Sequence, residues 1–189
     1  MGMQNPTAEG MEGFEMIIAV SGLTGSGKNT LGELLAKELG YRLVCPTFKD
    51  LALKEGIPLM EFQEKAKNDP DIDRKFDAAL KEQAAGGDCV VTTWLGAWMV
   101  DADVRIKVKV ADDIRAKRIA KRDGMTVADS LRHLRARDDQ NRKRYMKLYG
   151  IDIDDEKKFD AILDGGNNSP ERLLEMSLAV IKAKKGQSK

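Results

Sequence analysis

Two cysteines, one histidine and five prolines are spread through 189 residues, and aromatic residues make up only 5% of the chain. Cys45 and Cys89 stand far apart, with no paired spacing and no histidine cluster, which argues against a zinc finger or a disulfide scaffold and for a reducing, cytoplasmic compartment. The lone His133 lies among charged helical residues and is expected to be solvated rather than catalytic. No apolar run approaches membrane-spanning length. Residues 1–15 carry no basic segment followed by an apolar core, so they read as a disordered extension rather than a signal. Lys+Arg 32 against Asp+Glu 31 leaves a net charge of +1, and with it no global attraction to nucleic acid or an acidic membrane. The length suits one domain with a real core, carrying a mobile insertion.

What is present is concentrated near the start. Gly22-Leu23-Thr24-Gly25-Ser26-Gly27-Lys28-Asn29-Thr30 follows the apolar run Met16–Val20 and opens the periodic stretch Leu31–Leu39. Glycines let the backbone curl so that consecutive N–H groups face one anion. The first turn of the following helix adds unpaired N–H groups and the positive end of its dipole. Lys28 is placed to reach the outer phosphates of a nucleotide, and a hydroxyl nearby serves magnesium. Asn29 stands where Ser or Thr is usual, and the hydroxyl comes one residue later at Thr30. This spacing is similar to that of adenylate-kinase-like enzymes, which argues for a small-molecule kinase over a motor or a GTPase.

Along the chain, strands are predicted at Met16–Ser21, Tyr41–Val44 (short and buried), Cys89–Thr93, Val104–Val110 and Ala161–Leu163. Helices are predicted at Lys28–Leu39 (stopped by Gly40), Phe48–Glu55, Leu59–Asn68, Pro70–Ala85, Ile114–Lys121 (capped by Asp112) and about Val127–Tyr149 (stopped by Gly150). A last helix runs from Ser169-Pro170 to about Lys182, before a frayed basic tail. In Val104–Val110, apolar residues alternate with Arg105, Lys107 and Lys109, which predicts a less buried face. Strands alternating with helices indicate a parallel α/β sheet with ligands beyond its carboxyl ends.

The near-neutral total hides a positive second half. Arg115, Lys117, Arg118, Lys121 and Arg122 crowd one helix, and Arg132, Arg135, Arg137, Arg142, Lys143, Arg144 and Lys147 the next. A solvated helix pair accounts for most of these charges singly. Phosphoryl transfer needs cations around the migrating group, and arginine offers a permanently charged fork of donors. A phosphate loop with a detached arginine-rich hairpin points to a closing lid. No aromatic residue interleaves before Tyr145, against a single-strand nucleic-acid surface.

From Met16 to Lys182 the chain resembles a nucleoside monophosphate kinase, most closely the archaeal type of cytidylate kinase. The resemblance rests on the phosphate loop, Phe62-Gln63, Asp71-Ile72-Asp73-Arg74, Leu95-Gly96-Ala97-Trp98-Met99, Arg115–Arg122, Gln140–Tyr145 and Tyr149-Gly150-Ile151-Asp152-Ile153. It implies a three-layer α/β P-loop kinase fold with a five-stranded parallel sheet over residues 16–183, a helical acceptor region at about 45–87, a lid at about 118–145, and a basic tail at 184–189. It implies ATP and Mg²⁺, with transfer of the γ-phosphoryl group to CMP or dCMP by a protein expected to be monomeric. Residues Gly22–Thr30 (Gly22, Leu23, Thr24, Gly25, Ser26, Gly27, Lys28, Asn29, Thr30) would cradle ATP, with Lys28 steadying the transferring phosphate and Thr30 serving Mg²⁺ directly or through water. Arg118 and Arg122 would reach nucleotide phosphates from the lid. Arg137 and Arg142 would flank donor and acceptor phosphates, oriented by Asp138 and Asp139, with Asp138 also on the substrate side.

The acceptor side departs from that family's pattern. Cys45-Pro46 replaces a small residue and glycine, and Lys49 and Trp94 stand where phosphate-binding arginines are expected. An indole in place of a guanidinium removes charge and adds apolar area. The pattern near Asp164–Asn168 is altered as well. Three readings stay open: a cytidylate kinase that has drifted, a P-loop kinase for a different small acceptor stacking on Trp94, and a nucleotide-binding paralogue with impaired catalysis.

Overall fold

The computed structural model describes residues 16–187, apart from the side chains of positions 48, 49, 59, 63, 66–68, 70 and 187. The expectation for residues 1–15 lies outside the described residues. Five strands form one parallel sheet in the order β2-β3-β1-β4-β5: β1 Ile17–Ser21, β2 Arg42–Val44, β3 Cys89–Thr92, β4 Val104–Lys109 and β5 Ala161–Asp164. Central β1 pairs in parallel with β3 and β4, which aligns Val20 with Thr92 and with Ile106 and gathers the strand ends on one side. Every connection is a helical crossover, as a parallel sheet requires.

Ile18 and Val20 of β1 and Val104, Ile106 and Val108 of β4 face one side. There they pack with Leu31 and Leu35 of α1 (Lys28–Leu39) and Leu173 and Ile181 of α8 (Pro170–Gln187). On the other side, Ala19 and Val91 pack with Leu80 and Ala84 of α4 (Pro70–Ala84) and Ala97 of the short α5 (Gly96–Met99). Between β2 and β3 lie α2 (Phe48–Glu55), α3 (Leu59–Asn68) and α4, the first opened by a reciprocal Thr47–Asp50 capping box and joined by a small core of Ala52, Phe62 and Ile72. Between β4 and β5 lie α6 (Asp112–Asp123) and α7 (Val127–Tyr149). These two helices meet through Ala116, Ile119, Leu131 and Leu134. Thr126 caps α7 by accepting from the Asp129 N–H, and Gly150 stops it at φ 64°.

Several expectations need correction. β2 is an edge strand with only Val44 buried, because one neighbour leaves Arg42 and Leu43 facing solvent. Lys107 is buried rather than solvated: its ammonium donates to the Ile153 carbonyl at 3.2 Å and lies 5.4 Å from the Phe159 ring centre. Asp112 does not cap α6 but is its first residue, and its carboxylate turns to Arg115 and Arg135 instead. The last helix continues five residues past the expected Lys182, to Gln187. α5 was not foreseen, being a single turn directly after β3.

Candidate active site at the phosphate loop

The loop from Gly22 to Gly27 leaves β1 at the carboxyl edge of the sheet and enters α1 at Lys28. Gly27 adopts φ 92°, a left-handed conformation that a side chain would strain, and it lets the chain turn into the helix. A Cβ on Gly22 would stand 2.5 Å from Ser26 Oγ and 2.8 Å from the Val108 carbonyl, so only glycine fits where the loop crosses β4. The Ser26 N–H closes back onto the Leu23 carbonyl at 3.1 Å. With no side chain capping α1, its first N–H groups stay open to an anion.

Lys28 is half-buried beside this loop, and its pKa falls from 10.5 to about 8. Burial is the largest cause; Cys45 works against it, and the charges of Arg137 and Arg122 add to it. Arg137 from α7 and Arg122 from α6 therefore share one electrostatic field with the loop lysine. Asn29 donates to Cys45 Sγ at 3.5 Å, tying the start of α1 to the end of β2. Thr30 is exposed in the first turn of α1.

A cleft of about 900 Å³ opens beside the loop, between Leu23, Ser26, Ile114, Arg142, Asp164 and Asn167. Arg142 donates to Asp154 at 2.6 Å on its wall. The Asp164 carboxylate accepts from the Gly166 N–H at 2.8 Å and the Asn167 amide at 2.7 Å, holding the turn after β5 and keeping its own pKa low.

Arg118 lies against the loop, its Nη1 4.0 Å from where a Cβ on Gly27 would stand. It donates to the Gly165 carbonyl at 2.7 Å and to the Gly25 and Ser26 carbonyls, each at 3.4 Å. Arg122 forms an ion pair with Asp123 at 2.6 Å. The two aspartates have partners that the sequence did not reveal. Asp138 is buried and accepts from Arg115 at 2.8 Å, while its charge also acts on Arg142. Asp139 pairs with Lys143 at 2.7 Å, the i,i+4 partner on its own helix face. The Lys49 side chain lies outside the described residues.

Trp94 follows β3 and is half-buried, with its ring edge-on to Tyr145 of α7 at 6.3 Å and 62°. Burial pushes the Tyr145 pKa up to about 12. Two further contacts fasten the same stretch of α7 to α4: Arg144 to Asp73, and the Tyr149 hydroxyl donating to Asp77. Burial raises both carboxyl pKa values, against the lowering by these donors. Sequence reasoning missed this seam, and it did not single out Arg115 as the buried member of its charged helix. The Asp112-x-x-Arg115 spacing, one turn apart, was the available signal for the latter.

Among the described residues, no group of three or more His, Cys, Asp or Glu side chains could hold a metal. What the site offers a magnesium ion is the exposed Thr30 hydroxyl in the first turn of α1, with the buried Ser26 hydroxyl of the loop, which has no hydrogen-bond partner. That donor set suits a hydrated ion held mainly by phosphate oxygens, as Mg²⁺ commonly is.

A five-stranded parallel sheet with a phosphate loop after its central strand, a helical excursion after β2 and a helical hairpin after β4 defines the P-loop kinase fold. Solved structures agree on that fold: shikimate kinase from Acinetobacter baumannii superposes with a TM-score of 0.60 at 17% identity, covering 90% of this chain and 95% of that one. A gluconokinase from Sinorhizobium meliloti gives 0.57 at 18%, covering 93% and 97%. Residues 17–167 match the cytidylate kinase-like family. Cytidylate kinase of Pyrobaculum aerophilum is 41% identical over 167 residues, 86% of this chain and 91% of the relative. That of Pyrococcus abyssi is 40% identical over 171 residues, 89% and 92% of the two chains. The chain belongs to the cytidylate kinase-like family.

Proposed function

We propose that the protein transfers the γ-phosphoryl group of ATP to the phosphate of a nucleoside monophosphate, CMP or dCMP, releasing ADP and the nucleoside diphosphate. The observation that carries this reading is the Gly22–Lys28 loop between β1 and α1, with Gly27 left-handed and no side chain capping the helix start; the charges of Arg137 and Arg122 acting on Lys28 agree with it. Phosphoryl transfer asks the protein mainly for positioning and for fixed positive charge where negative charge migrates. Lys28 supplies that charge to the outer phosphates of the donor. Arg137 is carried on α7, and its charge acts on both Lys28 and Tyr145. That position suits an arginine spanning donor and acceptor phosphates.

Arg142 lines the cleft in which the donor nucleotide would lie, together with Leu23 and Ser26 of the loop, Ile114 and Asn167, within reach of the donor phosphates. Mg²⁺, when bound with ATP, neutralises phosphate charge; Thr30 is the residue of this chain that would hold it. Helices α2–α4 form the acceptor region, and the α6–α7 hairpin forms the lid, with Arg122 brought in from its end. The family relatives named cytidylate kinases support CMP as acceptor. The reading takes the enzyme as a cytoplasmic monomer. No helix among the described residues is long and apolar enough to cross a membrane.

A second reading has one specific observation behind it. Trp94 stands where the family presents an arginine to the acceptor phosphate, and it meets Tyr145 rather than a charge. This favours an acceptor with an aromatic or apolar face and less demand for phosphate contacts. Coupled ADP release measured with CMP, dCMP, UMP, AMP and small non-nucleotide alcohols separates the readings. CMP-stimulated turnover above all other acceptors is expected. ATP binding without acceptor-stimulated turnover would overturn the kinase reading.

A further inference from the structure

Arg115 is the largest fully buried side chain, with 1% of its surface exposed. A guanidinium taken out of water is costly unless its donors are matched. Its Nη2 donates to Asp112 at 2.7 Å and to Asp138 at 2.8 Å, while Nη1 donates to the Thr24 carbonyl of the phosphate loop at 3.1 Å. The second Asp112 oxygen accepts from Arg135 of α7 at 3.2 Å, giving a neutral set of two arginines and two aspartates in which Arg115 Nε and Asp138 Oδ1 stay buried without a hydrogen-bond partner. A Cβ on Gly25 would sit 3.2 Å from Arg115 Cβ, so the loop lies directly on this side chain.

An anion-binding loop needs its N–H groups turned inward, which turns some carbonyls outward and leaves them needing donors. Here the outward carbonyls of Thr24, Gly25 and Ser26 all face arginines of α6: Arg115 for the first, Arg118 for the other two. Of these two arginines only Arg115 also grips α7. Asp138, its partner there, is the neighbour of Arg137, whose charge reaches Lys28. One buried guanidinium thus joins the loop's backbone to the helix that brings a second cation over it.

We propose that Arg115 is the positioning residue of the phosphate loop: it fixes the peptide plane at Thr24 and, through Asp138, sets where α7 holds Arg137 relative to Lys28. The inference rests on the reading that this loop binds ATP. A purely structural Arg115 would be replaceable by apolar residues of similar volume, because a buried ion pair exchanged as a pair commonly leaves stability unharmed.

The test compares the full-length wild type with Arg115→Lys and the double variant Arg115→Met/Asp138→Leu. It measures melting temperature, affinity for Mg²⁺ with a fluorescent ATP analogue, and KM and kcat with ATP and CMP varied separately. The double variant is expected to melt within a few degrees of wild type yet bind the ATP analogue at least about tenfold more weakly, as loss of a charge-assisted contact would give. Arg115→Lys keeps the charge without the three-way fork, and it is expected to raise the ATP KM and lower kcat by about tenfold while the CMP KM moves less than about twofold. A double variant with wild-type melting and wild-type ATP affinity overturns the inference. Should the double variant not fold, Arg115→Lys decides alone, and unchanged ATP parameters overturn it. Wild-type protein that binds no ATP analogue overturns the ATP-binding reading and this inference with it, whereas wild-type binding with indifferent variants sinks this inference only.

Discussion

Arg142 donates through Nε to the Asp154 carboxylate at 2.6 Å, across the wall of the cleft beside the phosphate loop. Both side chains remain about half exposed, 42% and 49%, so the pair itself is worth no more than about 1 kcal/mol. Its significance is competition: Asp154 holds an arginine that the donor phosphates also attract. Asp154→Asn is expected to lower the ATP KM by about two- to fivefold at low salt, with the gain shrinking as ionic strength rises. Arg142→Ala should raise the ATP KM instead. Initial rates at two salt concentrations check both, and an Asp154→Asn enzyme indifferent to salt would remove Arg142 from the phosphate site.

Lys28 carries the second prediction. Lys28→Ala is expected to cut turnover by about 10²–10³-fold or more with the fold intact, since a fixed charge on the migrating group is lost. Its pH behaviour follows from a pKa lowered to about 8, chiefly by burial. Above pH 8 the nucleotide-free lysine is neutral, and phosphates favour the charged form, so ATP binding takes up a proton and weakens as pH rises. Calorimetry at pH 8.5 in buffers of different ionisation enthalpy measures that uptake. The sign for stability is opposite. Between about 8 and 10.5 the unfolded chain holds a proton that the folded protein has lost, so Lys28 makes stability rise with pH across that window. Lys28→Met should flatten the rise.

Helix and strand positions were readable in the sequence because the period changes cleanly from two to 3.6 and glycines mark the helix ends at Gly40, Gly56, Gly124 and Gly150. The loop was readable because its anion-binding chemistry is local: backbone N–H groups, a helix start and one lysine. Partners of the arginines were not. Arg115, Arg118 and Arg122 stand seven residues apart at most, yet one is buried on two carboxylates, one holds carbonyls 47 and 93 residues away, and one pairs with its neighbour. Such choices depend on which helix face meets the loop, and a run of like charges does not reveal that. Lys107 failed for the same reason, since strand alternation cannot foresee that the Ile153 carbonyl covers the polar face.

The hairpin of α6 and α7 has uneven anchorage, and this gives the third prediction. Its tip around Thr126 is held by the small cluster of Ala116, Ile119, Leu131 and Leu134, by Ser130 donating to the Ala116 carbonyl at 2.8 Å, by the Met125 N–H on the Ala120 carbonyl at 3.1 Å and by the exposed Arg135–Asp112 pair. The far end of α7 is fastened by Arg144 to Asp73 and Tyr149 to Asp77. Hydrogen exchange should therefore be fastest over residues 123–135 without nucleotide and slow markedly there with Mg²⁺ and a non-hydrolysable ATP analogue plus CMP. Residues 144–149 should change little. Equal protection of the tip in both states would mean that the hairpin is not a lid.

Trp94 and Tyr145 supply the last prediction. Their edge-on contact at 6.3 Å buries part of the indole, so losing it should cost about 1 kcal/mol beyond any change in exposed area. An arginine at position 94 would bring a charge-assisted contact of about 1.5–3 kcal/mol to an acceptor phosphate, a gain of roughly tenfold or more in affinity. Trp94→Arg, alone and with Lys49→Arg, is accordingly expected to lower the CMP KM by about tenfold while the melting temperature falls by a few degrees. The two measurements fail separately. A lower melting temperature with an unchanged CMP KM places the indole in the packing between β3 and α7, away from the acceptor. A wild-type enzyme already saturated by low CMP would show that the acceptor phosphate finds its cations elsewhere, with Arg137 the residue to substitute next. Only a gain in CMP use identifies position 94 as the point where this chain gave up a phosphate contact for an aromatic one.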